Sequence, residues 1–356
     1  MGRWARVSPY RAHLADKPTS DDPLPVDLDI IDDLDKALVH ALQIDGRAPF
    51  RRVAAVLGVA DQTVARRYAR LRRAGLLQVV AVTDPDLLAA PQWIVRLRAT
   101  PSAAHQLGAA LARREDTSWI DLCGAGSDIV FAASGTSAET LLGDTLSRTK
   151  AVFDVRAERV LHTFYGAHTG PYLKRGPLTP EQVSLLAAGA PEVRPRAQRL
   201  DDTDRRLMTA LRADGRTSVE DLAVTTGQSS STVRRRLEAL LTNGAVRLDV
   251  DVDAVLLDAP LRAMLWVRVD VDQLRDAGST LARQPETTFV AAVTGQAGLF
   301  VSLVVRDPAD LFAYLSARLP EVTGVTVADS AVVLRHLKGA STTVPPSLSI
   351  SATRRR

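Results

Sequence analysis

Residues 32–91 align without a gap on residues 201–260, at an offset of 169, and 22 of these 60 positions are identical. The matched pairs include Asp32/Asp201, Asp35/Asp204, the Asp-Gly-Arg runs of 45–47 and 214–216, Gly58/Gly227, Arg66/Arg235, Arg67/Arg236, Leu71/Leu240 and Gly75/Gly244. A repeat this long is no solenoid; it is a duplicated module of about 140 residues. The 356 residues also exceed what one hydrophobic core usually serves. Whatever one copy folds into, the chain must do twice.

Each copy opens with three helical signals. In the second, Thr203 or Asp202 is placed to cap a helix with Leu207, Ala210 and Leu211 on its apolar face, ended near Asp214-Gly215. A short helix over 219–226 stops at Gly227, where a left-handed turn is cheapest. Ser229 or Ser230 then caps a third helix, with Val233, Leu237 and Leu240 inward, running to Asn243-Gly244. The first copy repeats this over 34–43, 50–57 and 61–74. After each glycine a β-rich stretch, 76–83 and 245–252, reads as a wing. Three helices and a wing make a winged helix-turn-helix.

The second half of each copy changes rhythm. The order strand, helix, strand, strand, helix, strand is predicted over 93–163 and again over 263–337. This is the ferredoxin-like βαββαβ pattern, whose sheet keeps one face bare once helices cover the other. The fold class is therefore α+β. The divisions expected are a disordered tail 1–29, winged helix 30–84, α/β domain 90–165, linker 166–197, winged helix 198–253, α/β domain 260–338 and a disordered tail 339–356. The linker is Pro- and Gly-rich, with one short helix predicted over 180–188.

Composition removes several function classes. No run of about 18 uncharged apolar residues occurs, so no membrane span is expected. The first 25 residues lack the apolar core of a secretory signal, which points to a cytoplasmic protein. One cysteine, Cys123, makes neither an internal disulfide nor a thiolate cluster. The six histidines fit no metal-ligand spacing, although His162 and His336 both end the last strand of their copies. No nucleophile elbow or Walker loop is present, so no catalytic residue, metal or cofactor is assigned.

The arginines point to nucleic acid. The third helix of copy one holds Arg66, Arg67, Arg70, Arg72 and Arg73, with no acid between Gln62 and Gln78. DNA phosphate is a natural counter-charge for such a helix. Asp61, Gln62, Thr63 and Arg66 at its start are placed near base edges, Arg70 and Arg73 for phosphates, and Arg67 is a further DNA-binding candidate. In copy two the matching set is Ser230, Ser231, Arg234 and Arg235, but the wing acids Asp249, Asp251 and Asp253 would repel phosphate if they face outward. Copy one is the better reader.

These residues resemble the Lrp/AsnC family of feast/famine transcriptional regulators. Copy two shows the family's pattern as Ser229, Thr232, Val233, Arg236, Leu240 and Gly244; copy one shows Thr63, Val64, Arg67, Leu71 and Gly75, with Ala60 in place of the serine. The resemblance implies sequence-specific DNA binding, an amino acid or related effector bound between paired α/β domains, larger homo-oligomers and a place at the nucleoid. It puts the effector on the turns Gly124, Ala125, Gly126, Ser127, Asp128 and Gly295, Gln296, Ala297, Gly298. Members usually carry one module and dimerise through their sheets, so here the two modules are expected to pair within one chain. Two other readings stay open: a sirohaem decarboxylase-like enzyme, since paired modules of this architecture also occur there, and a ligand sensor without DNA binding.

Overall fold

The computed structural model describes residues 31–84, 90–124, 126–166, 174, 176–194, 196, 200–253, 256 and 259–340. The tail expected over 1–29, residues 341–356 of the tail expected over 339–356, and Ala125 lie outside these; Gly339 and Ala340 are described, and both are buried. The first copy begins with α1 (Asp33–Ile44), α2 (Phe50–Leu57) and α3 (Asp61–Arg73), followed by β1 (Leu77–Thr83). Gly58 ends α2 at φ +69°, a conformation that favours glycine, and Gly227 repeats it in the second copy. Next come β2 (Gln92–Ala99), α4 (Pro101–Ala112), β3 (Thr117–Cys123), β4 (Asp128–Ser134), α5 (Thr136–Thr140) and β5 (Val152–Tyr165). The second helix expected within 93–163 winds into a π turn after Thr140.

Between the copies, α6 (Pro180–Ala187) is capped by Thr179 and Gln182, which exchange bonds across its first turn. It does not float in a spacer. Leu178 and Leu186 are buried in the core of the first helical bundle, and the Gln182 amide donates to the Val56 carbonyl at 2.9 Å. The linker expected from composition is thus partly a fourth helix of that bundle.

The second copy repeats the order: α7 (Asp202–Ala213), α8 (Val219–Thr226), α9 (Ser230–Thr242), β6 (Val246–Val252), β7 (Leu261–Val269), α10 (Leu274–Arg283), β8 (Thr287–Val293), β9 (Leu299–Val305), α11 (Pro308–Ala313) and β10 (Val325–Lys338). The cap of α7 is Asp201, not Asp202 or Thr203. Its carboxylate accepts from the Asp204 amide while the Asp204 carboxylate accepts from the Asp201 amide, a box that needs acids three apart. Asp32 and Asp35 do the same in α1.

The wings differ most from expectation. Each is one strand, and they pair with each other: β1 and β6 run antiparallel from Leu77↔Val252 to Thr83↔Val246. The other eight strands close into an antiparallel barrel in the order β10-β3-β4-β2-β5-β8-β9-β7. The fourteen-residue strands β5 and β10 make the closure possible. The first part of β5 pairs with β2 and its end with β8; β10 pairs first with β7, then with β3. Sheet edges that would otherwise stand open are consumed. Helices cover the outside, and Ile94, Val130, Met264, Trp266, Ala291 and Phe300 fill the inside. With both faces covered, β9 is buried at every position.

Candidate nucleic-acid interface and ligand site

The two helix-turn-helix units clasp each other through the repeated Asp-Gly-Arg turns. The Arg47 guanidinium donates to the Gly215 carbonyl at 2.8 Å, and that of Arg216 to the Gly46 and Ala48 carbonyls at 2.7 and 3.0 Å. Arg216 also stacks over Phe50 and Tyr68. Burial pushes both guanidinium pKa values down. Each arginine is spent on holding the other copy.

Recognition helices α3 and α9 are fixed from behind. Arg67 Nη1 lies 2.6 Å from Asp32 Oδ1 and 3.0 Å from Asp35 Oδ1. Arg236, its repeat partner, meets Asp201 and Asp204 at 2.8 and 2.9 Å. The hydrogen bond from Arg67 is the largest reason the Asp32 carboxyl is held below its usual range. The capping acids of the first helix thus also anchor the third. Arg70 joins the same cluster through Asp35, and Arg72 meets Asp214 of the other copy at 2.6 Å. Arg67 and Arg70 therefore sit in the scaffold and not among groups free to meet phosphate.

What the two helices present outward is a shorter set. Gln62, Arg66 and Arg73 are exposed on α3, and Thr63 is half-buried. Among the described residues Arg66 makes no ion pair, while Arg73 Nε donates to the Ala69 carbonyl at 3.2 Å. On α9, Ser231, Arg234 and Arg235 are exposed and Ser230 is half-buried. The wing acids do not form a repulsive outer face. Asp249 is buried, and Asp251 accepts from the Ala340 amide at 2.9 Å.

The expected effector turns lie on β3–β4 and β8–β9, joined by one network. Arg96 donates to Asp128 at 2.6 and 3.0 Å, also meets Asp329, and sits 4.8 Å over the Trp266 ring. The Trp266 indole N–H donates to Glu158 at 3.1 Å, and a Cβ on Gly295 would come 3.4 Å from the same carboxylate. Gly124, Gly295 and Gln296 are exposed, Gly126, Ser127 and Gly298 are half-buried, and Ala297 is buried in the barrel. The Asp128 carboxylate is already held by Arg96 and Arg98.

A polar cluster not foreseen from the sequence lies inside the barrel. His336 Nδ1 is 2.7 Å from Asp121 Oδ1 and 2.8 Å from Arg262 Nη1. Protonated there, the imidazole donates to the carboxylate; unprotonated, it accepts from the guanidinium. Asp121 is fully buried, and its Oδ2 has no partner among the described residues. Asp121 and Arg262 line a cavity of about 60 Å³ walled by Trp119, Met264, Phe289 and Phe300, with Asp249 of the wing as a further lining residue. Trp119 takes φ +52°, strained for a bulky side chain. Only the strand-end histidine was visible in the sequence; its partners stand 215 and 74 residues away. His162, its apparent counterpart, is exposed and packs edge-on to Phe164. Burial pushes the Cys123 thiol pKa up, so it is inert. Among the described residues no group of three metal-ligating side chains occurs, and no helix is long and apolar enough to cross a membrane.

Residues 31–72 and 200–241 match the model of the AsnC-type helix-turn-helix domain, and residues 262–342 that of the Lrp/AsnC ligand binding domain. The HTH-type transcriptional regulator AldR of Mycobacterium tuberculosis is 28% identical over 165 residues, which is 45% of this chain and 91% of that protein. The HTH-type transcriptional regulator FL11 of Pyrococcus horikoshii is 24% identical over 140 residues, 39% of this chain and 92% of its own. The crystal structure of the siroheme decarboxylase NirDL superposes with a TM-score of 0.55 over 88% of this chain and 96% of its own, at 12% identity. At that identity the likeness concerns the fold. The duplicated helix-turn-helix units, the ligand-binding domain and the relatives agree: the chain carries two AsnC-type helix-turn-helix domains in tandem and an Lrp/AsnC ligand binding domain, and its curated relatives are Lrp/AsnC-type transcriptional regulators.

Proposed function

We propose that one chain reads DNA as a ready-made pair, as two winged helices (30–84 and 198–253) alternating with two α/β domains (90–165 and 260–338). The observation that carries this reading is the β1–β6 pairing with its reciprocal Arg47 and Arg216 clasp. It fixes α3 and α9 relative to each other, as reading two half-sites requires. Gln62, Thr63, Arg66 and Arg73 on one side, and Ser231, Arg234 and Arg235 on the other, are the contacts; Arg67, Arg70 and Arg236 hold the helices in place. A small zwitterionic effector of the amino acid kind fits the barrel cluster better than the turns, its ammonium on Asp121 Oδ2 and its carboxylate on Arg262. The cavity has room for about four to six water-sized groups, at roughly 10–15 Å³ each.

The test is fluorescence anisotropy on DNA from upstream of the chain's own gene, titrated against salt. Wild type should bind with a steep salt slope. Arg66→Ala/Arg235→Ala should bind at least about tenfold more weakly, with the slope reduced by roughly 0.9 per lost phosphate contact. No binding at low salt would refute the reading. A second reading, a tetrapyrrole decarboxylase, is favoured by the shared fold and the Asp121–His336 pair. A four-pyrrole macrocycle would have to open a 60 Å³ cavity several-fold. A Soret-type absorbance band in the protein purified after tetrapyrrole loading would establish it.

A further inference from the structure

A second cavity lies outside the barrel, where the first helix-turn-helix unit meets the second α/β half. It encloses about 590 Å³, within the roughly 300–1,000 Å³ range of small-molecule sites. One wall is α1, through Lys36, Val39 and His40; the other is the end of β9 with α11 and the turn after it, through Val304, Arg306, Asp310, Tyr314 and Arg318. Lys174 and Gly176, from the segment between the two copies, close a third side.

Among the described residues the charges on this lining do not balance. Four cationic side chains, Lys36, Lys174, Arg306 and Arg318, face two carboxylates, Glu286 and Asp310, and Lys36 also meets Asp33 at 3.9 Å. Both carboxylates are already engaged, Glu286 by Arg318 and Asp310 by Arg306. Lys174 is the informative group. Its ammonium donates to the Gln284 carbonyl at 2.6 Å and lies 3.9 Å from the centre of the Tyr165 ring. Among the described residues no carboxylate stands within ion-pair distance of it. Burial, opposed only by the charge of Glu286, pushes its pKa down to about 8. A half-desolvated cation held by a carbonyl and a ring is relieved by an anion entering beside it. His40 adds a donor. Its Nδ1 accepts from the Leu178 amide at 3.4 Å, which leaves the proton on the other ring nitrogen. Val39, Val304 and Pro177 supply an apolar side to the same space.

We propose that this cleft is a binding site for a small organic anion, one with a carboxylate or phosphate head on an apolar body, and that Lys174 is its principal counter-charge. Because one wall belongs to the first helix-turn-helix unit and the other to the barrel, occupancy fixes how that unit docks. That consequence for DNA affinity rests on the regulator reading; the binding itself does not.

The probe is anilinonaphthalene sulfonate, a fluorescent organic anion, titrated into the full chain. Citrate and inorganic phosphate serve as competitors at matched ionic strength. Saturable fluorescence displaced by citrate assigns the site to carboxylates, and displacement by phosphate assigns it to phosphates. Lys174→Gln should weaken binding about tenfold or more, the size of one charge-assisted hydrogen bond. Arg205→Gln, an exposed charge elsewhere, should not. Ala313→Trp, which fills the exposed rim of the cleft and touches no charge, should also abolish binding, so the test survives if Lys174→Gln folds poorly. Equal binding by wild type and both cleft variants, or displacement by chloride as effective as by citrate, overturns the proposal. DNA anisotropy with and without the winning competitor separates the two readings. Intact probe binding with no DNA binding refutes the regulator alone; intact DNA binding unmoved by the anion refutes the coupling.

Discussion

Replacing Asp249 by Asn should make the wing pair more stable at neutral pH, and less dependent on pH. Asp249 sits in β6 opposite Val80, 3% exposed, and lines the barrel cavity. Its Oδ1 accepts from the Val250 amide at 2.8 Å. Burial pushes its carboxyl from the usual 3.8 up to about 6, against the pull of Arg247 and of that amide. A rise of about 2 pH units corresponds to roughly 3 kcal/mol, at about 1.4 kcal/mol per unit. The folded state holds this proton more tightly than the unfolded chain. The stability it contributes is therefore complete below about pH 4 and is lost as pH rises through about 6. Asparagine accepts from the Val250 amide equally well and never ionises. The variant should gain about 2–3 kcal/mol over wild type at pH 7.5 and nearly match it at pH 4. Urea unfolding across this range measures the gain, and hydrogen exchange of the β1 and β6 amides localises it. A variant less stable at pH 7.5, or one with the wild-type slope between pH 4 and 6, would refute the reasoning.

Two further substitutions probe the clasp and the barrel. Arg216→Ala removes bonds to the Gly46 and Ala48 carbonyls and the stack on Phe50 and Tyr68; a loss of about 1–3 kcal/mol in thermal unfolding is expected. Its DNA affinity should fall on a two-half-site operator and stay unchanged on a single half-site. Asp121→Ala removes the carboxylate that buried Arg262 meets at 3.3 Å and should cost about 3 kcal/mol in the same assay, with Asp121→Ala/Arg262→Met recovering most of it.

Much of this fold is legible locally, because helices and strands announce themselves by period. The helix expected over 50–57 forms as Phe50–Leu57, and the β-rich stretch expected over 76–83 as the strand Leu77–Thr83. The fate of each arginine is not. Five guanidinium groups on α3 look alike in sequence, yet Arg67 and Arg70 turn back to Asp35 while Arg66 faces out. The signal was present in the repeat: Arg67 and Arg236 recur with Asp32/Asp35 and Asp201/Asp204, as an ion pair that must form in both copies would require. Asp121 carried no such signal. Its partners come from the other half of the chain, and its repeat counterpart is not an acid, so neither period nor self-alignment could point to it.

That difference between the halves is what fusion permits. In the barrel, Arg96 stands opposite Val130 and Trp266 opposite Phe300, so the two occupy equivalent places in the two halves. Asp121 opposite Val130 likewise corresponds to Ala291 opposite Phe300. A dimer of identical subunits must place the same residue on both sides of its axis, giving Arg near Arg, or Trp near Trp. Here Arg96 lies over Trp266 itself, a cation on an aromatic face that needs two different residues at one symmetric position. The same holds for Asp121, Arg262 and His336: formed once, the cluster is one compensated charge group, whereas two symmetric copies would set a second buried carboxylate and guanidinium at the place that Ala291 and Gln92 now fill with one apolar and one neutral side chain. The barrel is therefore built to have a polar end on one half only, and a ligand that binds there meets a single site in each chain.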